Sequence, residues 1–169
     1  MLLKPTRKPN RLQSFNYSAD GVYFITICTK DRKQILSRIA PAPDAFSRPV
    51  LHLTEIGRIV DLAINTISTH YPDVSVDSYV IMPNHIHLLL RVETHGRLII
   101  APTTASRALV STVIQQCKRH VTKTVGTVIW QKGFYDHIIR DEADYRIRAQ
   151  YIENNPVKWT DDKYYSPQI

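Results

Sequence analysis

The stretch from Ser75 to Val92, SVDSYVIMPNHIHLLLRV, does most to limit what this chain can become. It reads as two strands joined by a tight turn at Pro83-Asn84. On a strand, alternate side chains share a face. Ile86, Leu88, Leu90 and Val92 therefore form one wholly apolar side, while His85, His87, Leu89 and Arg91 form the other. The two histidines are expected to project together, away from the core.

The rest of the chain supplies elements to pack around that pair. Val22 to Thr29 (VYFITICT) is β-branched and aromatic and apolar on both alternating faces, as suits a central strand. Residues 40–49 (APAPDAFSRP) read as a Pro-rich loop. From Thr54 to His70, Ile56, Ile59, Val60, Ala63, Ile64 and Ile67 recur at helical spacing and predict an amphipathic helix. A polar, Pro-containing loop follows Val92. A second helix then starts at about Ser106, with Val110, Val113, Ile114, Cys117 and Val121 on one stripe. Phe134 to Arg140 reads as a further strand, and Asp141 caps a last helix that runs to Asn155 and is stopped by Pro156. This order predicts the α+β class: a ferredoxin-like antiparallel sheet with packed helices. The aromatic-rich RNP strand motif of RNA-binding domains with that fold is missing.

With 169 residues the chain is long enough for one domain with a proper core and too short for two. Residues 1–169 are read as a single domain with a basic N-terminal arm over about residues 1–20. Hydrophobic residues make up 43% and charged residues 22%, which excludes the disordered and fibrous classes. No run approaches the roughly 18 apolar residues of a membrane span, so a cytoplasmic protein without a membrane partner is expected. Cys28 and Cys117 sit within apolar patterns and are expected to be reduced core residues.

The 22 Lys+Arg against 15 Asp+Glu leave a net charge of +7, which favours a polyanionic partner. The charge is uneven. Residues 1–33 carry seven Lys/Arg against two acids, and residues 94–135 carry six with no acid at all, which points to a nucleic-acid face. Arg7, Lys8, Lys118, Arg119 and Lys123 in these stretches are candidate phosphate contacts.

Two constellations carry chemistry. His85 and His87 stand roughly 7 Å apart along one strand and can converge on one divalent ion. Taken alone, such a pair is more often a pair of exposed strand residues. On the last helix, Tyr145, Ala149 and Ile152 form the core stripe, whereas Tyr151 and Asn155, four apart, share another side with Arg148 beside them. A tyrosine off the core stripe, one turn from a carboxamide, is a candidate nucleophile; Tyr145 lies on the stripe and Tyr135 precedes the helix. Arg148 is a candidate phosphate contact and His137 a candidate supporting residue. Trp130 and Trp159 could stack on unpaired bases, although a buried tryptophan is usually core.

Val22-Tyr23-Phe24-Ile25-Thr26, Met82-Pro83-Asn84-His85-Ile86-His87, Trp130-Gln131, Asp136-His137-Ile138-Ile139-Arg140 and Tyr151-Ile152-Glu153-Asn154-Asn155-Pro156 with Trp159 occur in this order. Together they resemble the REP-associated tyrosine transposases, which are single-tyrosine HUH transposases. The resemblance runs from about residue 10 to 165. It implies the HUH endonuclease form of the ferredoxin-like sheet, with Tyr151 as the nucleophile and His85, His87 and Asn155 as ligands of a Mg²⁺ or Mn²⁺ ion. It also implies hairpin- or repeat-bearing single-stranded DNA as substrate, a 5′-phosphotyrosine intermediate, and a monomer or homodimer. The alternatives are a non-catalytic DNA-binding relative and a replication initiator or relaxase of the same chemistry.

Overall fold

Strand β1 (Gly21–Cys28) is the apolar run expected at the centre of a sheet, and in the computed structural model it lies between β5 (His85–Val92) and β6 (Tyr135–Ile138). Strand β4 (Val74–Ile81) pairs with the far side of β5, giving the order β4-β5-β1-β6 with every neighbouring pair antiparallel. This is the strand order of the ferredoxin-like split βαβ. The structure describes residues 21–42, 44, 47–93 and 109–165. Arg7, Lys8, the rest of the expected basic arm and most of the expected loop after Val92 lie outside them.

Helices α1 (Glu55–Asn65) and α3 (Leu109–Val125) cover one face of the sheet. Val60, Ala63 and Ile64 of α1 and Val110, Val113, Ile114 and Val121 of α3 pack on Tyr23, Ile25, Ile27, Ile86, Leu88 and Leu90. Burying whole aliphatic side chains in this way contributes roughly 1.5–3 kcal/mol each and makes this layer the main core. Helix α4 (Glu142–Asn154) covers the opposite face, where Ile152 closes on Phe24 and Leu89, with Tyr145 and Ala149 beside them. Asp141 starts α4 as expected, its side chain accepting from Asp144 N at 2.8 Å.

Two expectations need correction, and a short ribbon is added to them. The helix through His70 breaks at Thr66, whose hydroxyl donates to the carbonyls of Leu62 and Ala63, and resumes as the single turn α2 (Ile67–His70). Among the described residues the expected Pro-rich loop carries no helix or strand beyond Ala40, but the segments flanking it, which the sequence pattern left unassigned, are strands: β2 (Ser37–Ala40) pairs with β3 (Val50–Leu53) in a separate two-stranded ribbon. The histidine face is not open to solvent. His85 and His87 are 0% and 1% exposed, because α4 and the segment Trp159–Tyr164 close over them. Among the described residues no helix is long and apolar enough to cross a membrane.

A bulge in β4 helps to seat α4. The register slips between Val76 and Ser78, leaving Asp77 to accept from Arg91 (Nε 3.1 Å, Nη2 2.6 Å) and from the Tyr145 hydroxyl (3.1 Å). The helix carrying Tyr151 is thereby tied to the sheet carrying the histidines.

Candidate metal and nucleophile site

The site is built at the β1–β5 pair, where Thr26 lies opposite His87 and Cys28 opposite His85. The imidazole centroids of His85 and His87 are 4.5 Å apart, closer than the spacing along the strand because the rings lean together. Each ring is held through its Nδ1. His85 Nδ1 donates to the Asn84 side-chain oxygen at 2.9 Å, and the Asn84 amide is fixed in that sense by donating its own nitrogen to the Tyr164 carbonyl at 2.8 Å. His87 Nδ1 lies 2.8 Å from the Thr26 hydroxyl, which can accept its proton. A ring whose Nδ1 carries the proton presents Nε2 as a free lone pair.

Both Nε2 atoms are buried without a hydrogen-bond partner, and so is the side-chain oxygen of Asn155, itself 2% exposed. Three orphaned acceptors converging in one place would cost about 1–3 kcal/mol each if nothing satisfied them. A divalent cation satisfies all three, so the residues present fit a metal ion. Burial pushes His85 down to about 4 and His87 well below the ordinary imidazole range, so both rings are neutral at physiological pH, as ligands must be.

Tyr151 faces this cluster across the end of α4. Its ring packs edge-on against His87 at 5.1 Å and against Phe24 at 5.9 Å, and it is 36% exposed. Burial, with the carboxylate of Asp162 beside it, pushes its hydroxyl up to about 12. That hydroxyl donates to Asp162 Oδ2 at 3.1 Å, and the Asn155 amide nitrogen donates to the same oxygen at 2.8 Å. Asp162 and the nearby Tyr164 ring were not singled out by the sequence pattern, and Asn84 entered it as a turn and motif residue, not as the one that orients His85. Among the described residues, His85, His87 and Asp162 form the one group of His, Cys, Asp and Glu side chains that could hold a metal ion, with ligand atoms within 4.8 Å of one another.

Residues 18–155 match the family described as transposase IS200 like. The chain belongs to the IS200-like transposase family. It is thus a transposase, a member of a DNA-cutting enzyme class with a role in DNA recombination. A Haemophilus influenzae protein of uncharacterised function is 29% identical over 94% of this chain and 93% of its own length. A second from the same organism, named as a candidate REP-associated tyrosine transposase, is 28% identical over 85% of this chain and 74% of its own. The fold is shared with the structure of a REP-associated tyrosine transposase bound to a REP hairpin, at 23% identity and a TM-score of 0.61, over 88% of this chain and 74% of that one.

In this IS200-like transposase the remaining candidate residues fall in different places. Arg148 lies over the Phe24 ring at 5.4 Å and donates to Asp144 Oδ1 at 3.3 Å, beside the cluster. His137 Nε2 is 2.6 Å from Asp144 Oδ2, so it supports α4 and does not reach the other histidines. Lys118, Arg119 and Lys123 all lie on α3, in the layer on the other side of the sheet from the histidines. The Lys118 ammonium donates to the carbonyls of Gln131 and Gly133, at 2.8 and 2.6 Å, and so ties down the turn before β6. Nearer the site are Arg32, Lys158 and Lys163. Trp130 is core, at 5% exposure, whereas the Trp159 ring lies tilted beside His85 with centroids 6.0 Å apart.

Proposed function

We propose that this transposase is a metal-dependent single-stranded DNA endonuclease and strand transferase, with Tyr151 as its nucleophile and hairpin- or repeat-bearing DNA as its substrate. The whole chain, residues 1–169, acts as one domain whose basic arm adds contacts to DNA. The observation that carries the reading is the convergence of three buried, unpartnered acceptors, His85 Nε2, His87 Nε2 and Asn155 Oδ1, beside the Tyr151 ring. Three such atoms brought to one point ask for a ligand that satisfies them together. A relative named for REP-associated transposition, and a shared fold with a transposase bound to a REP hairpin, support the choice of substrate.

His85, His87 and Asn155 would hold a Mg²⁺ or Mn²⁺ ion. When bound, the ion supplies charge neutralisation at the phosphate and orients the scissile bond. The Tyr151 oxygen attacks phosphorus, the P–O3′ bond breaks, and the upstream segment leaves with a 3′-hydroxyl while the downstream segment stays joined to the tyrosine through its 5′-phosphate. The phenol gives up its proton and the departing 3′-oxygen takes one, so the step is balanced and reversible, and a second 3′-hydroxyl can resolve the adduct without ATP. A hydroxyl pushed up to about 12 is un-ionised at neutral pH, so the proton must leave as the bond forms. Thr26 and Asn84 keep both imidazoles in the ligating tautomer throughout.

The test is incubation with hairpin-bearing single-stranded DNA and Mn²⁺, followed by a denaturing gel. A covalent protein–DNA adduct that EDTA prevents and His87→Ala abolishes is expected. Equal cleavage in excess EDTA, or at the wild-type rate by His87→Ala, removes the metal-dependent reading.

A further inference from the structure

A dication between His85 and His87 would meet only neutral donors if the site ended at the two imidazoles and the Asn155 carboxamide. The nearby formal charges of Lys163 and Arg32 add repulsion. Taking an ion out of water into such a pocket is costly even after relaxation, and an anionic ligand offsets much of that cost. The described residues place one carboxylate within reach of both imidazoles, that of Asp162.

We infer that Asp162 is the anionic ligand of the same ion, completing a donor set of two imidazole nitrogens, one amide oxygen and one carboxylate. The inference rests on the metal-dependent reading above and deepens it. Its geometric basis is the grouping of the His85, His87 and Asp162 ligand atoms within 4.8 Å. Ligands at about 2.1 Å from a common centre lie up to about 4.2 Å apart, so a small contraction suffices. An independent observation points to a ligand in the same place: His85 Nε2, His87 Nε2 and Asn155 Oδ1 are all buried and all unpartnered.

The carboxylate is already oriented. Asp162 Oδ1 accepts from the Tyr164 backbone N–H at 2.6 Å, and Oδ2 accepts from Asn155 Nδ2 and the Tyr151 hydroxyl. The segment itself is pinned by Asn84 Nδ2 to the Tyr164 carbonyl and by Arg32 Nη1 to the Lys163 carbonyl at 3.0 Å. Because one carboxylate both receives the nucleophile's hydrogen bond and ligates the ion, Asp162 sets the distance between Tyr151 and the metal. Asn155 then has two functions, a ligand through its oxygen and a brace for Asp162 through its nitrogen.

The experiment is a Mn²⁺ titration of the full-length, DNA-free protein by calorimetry, with wild type, His87→Ala and Asp162→Asn compared. Wild type should bind one ion, His87→Ala should lose binding, and Asp162→Asn should bind at least about tenfold more weakly while melting as wild type does. Electron–nuclear double resonance on wild-type protein carrying ¹³C at its aspartate carboxyls decides the matter without relying on a variant's fold: bound Mn²⁺ should show the ¹³C coupling of a directly ligated carboxylate. Absence of that coupling, or wild-type affinity in Asp162→Asn when His87→Ala has lost it, overturns the role of Asp162 and leaves the metal reading standing. Failure of the wild type to bind any ion overturns both.

Discussion

Tyr151→Phe removes one oxygen, which donates to Asp162 at 3.1 Å, from a residue already 36% exposed. The loss of stability should stay below about 1 kcal/mol in a denaturant melt, because a single half-exposed hydrogen bond contributes little net. The covalent adduct, in contrast, should vanish from a denaturing gel. Tyr145→Phe should leave the adduct in place, since that hydroxyl is engaged with Asp77. The buried imidazoles give a second expectation. His85 stays neutral in the folded protein down to about 4 but takes up a proton near 6.5, the ordinary imidazole value, when unfolded. The unfolded state therefore binds more protons across that window, so metal-free protein should lose stability as pH falls from 6.5 towards 4. His87 acts in the same direction. A urea midpoint that holds level over that range would contradict the burial of both rings. At this scale the strand alternation made His85 and His87 legible as a pair, and helical spacing did the same for Tyr151 with Asn155. Asp162 was not legible, because it lies beyond Pro156 in a polar stretch with no periodicity, and only the folded-back chain brings it to the histidines.

Gly57 shows how an element is fixed by its neighbour. A methyl group added there would sit 2.0 Å from the Leu36 carbonyl oxygen and 3.3 Å from the Leu53 Cβ. Leu36 immediately precedes β2 and Leu53 ends β3, and Thr54, the N-cap of α1, donates to the same Leu36 carbonyl at 3.0 Å. Gly57→Ala must therefore displace backbone, and although alanine is the better helix former by about 1 kcal/mol, it should destabilise the protein by about 2 kcal/mol or more. Chemical denaturation measures this, and a variant as stable as wild type would mean that α1 does not rest on the ribbon. The main elements were readable from different signals: β1 and β5 by apolar runs, β4 by its mixed strand pattern ahead of the Pro83-Asn84 turn, α1 and α3 by apolar stripes, and α4, whose stripe is thin, by the Asp141 cap and the Pro156 stop. The ribbon escaped notice because its strands are four residues each, without a turn signal of hairpin length between them. The break at Thr66 was hidden for a different reason: the apolar spacing continues through Ile67 while the backbone does not.

Across the whole molecule, the sheet separates the positive charge into two layers. Arg119 and Lys123 are exposed on α3, behind the sheet, whereas Lys158 and Lys163 are exposed along the cleft that Tyr151, Asn155 and Asp162 line. A net charge of +7 alone would draw DNA to either side. If the strand must reach Tyr151, its phosphates pass the cleft lysines and not those of α3. Affinity for hairpin-bearing single strands should fall steeply with salt, since each neutralised phosphate contributes about 0.7 to the slope of log affinity against log salt. Lys158→Gln with Lys163→Gln should then flatten that slope by about 1.4, while Arg119→Gln with Lys123→Gln should leave it nearly unchanged. Fluorescence anisotropy at a series of salt concentrations reads both slopes. Should the α3 pair flatten the slope as much as the cleft pair does, the DNA wraps the back of the sheet and the proposed path past Tyr151 is wrong; a slope indifferent to salt in the wild type would remove the nucleic-acid role altogether.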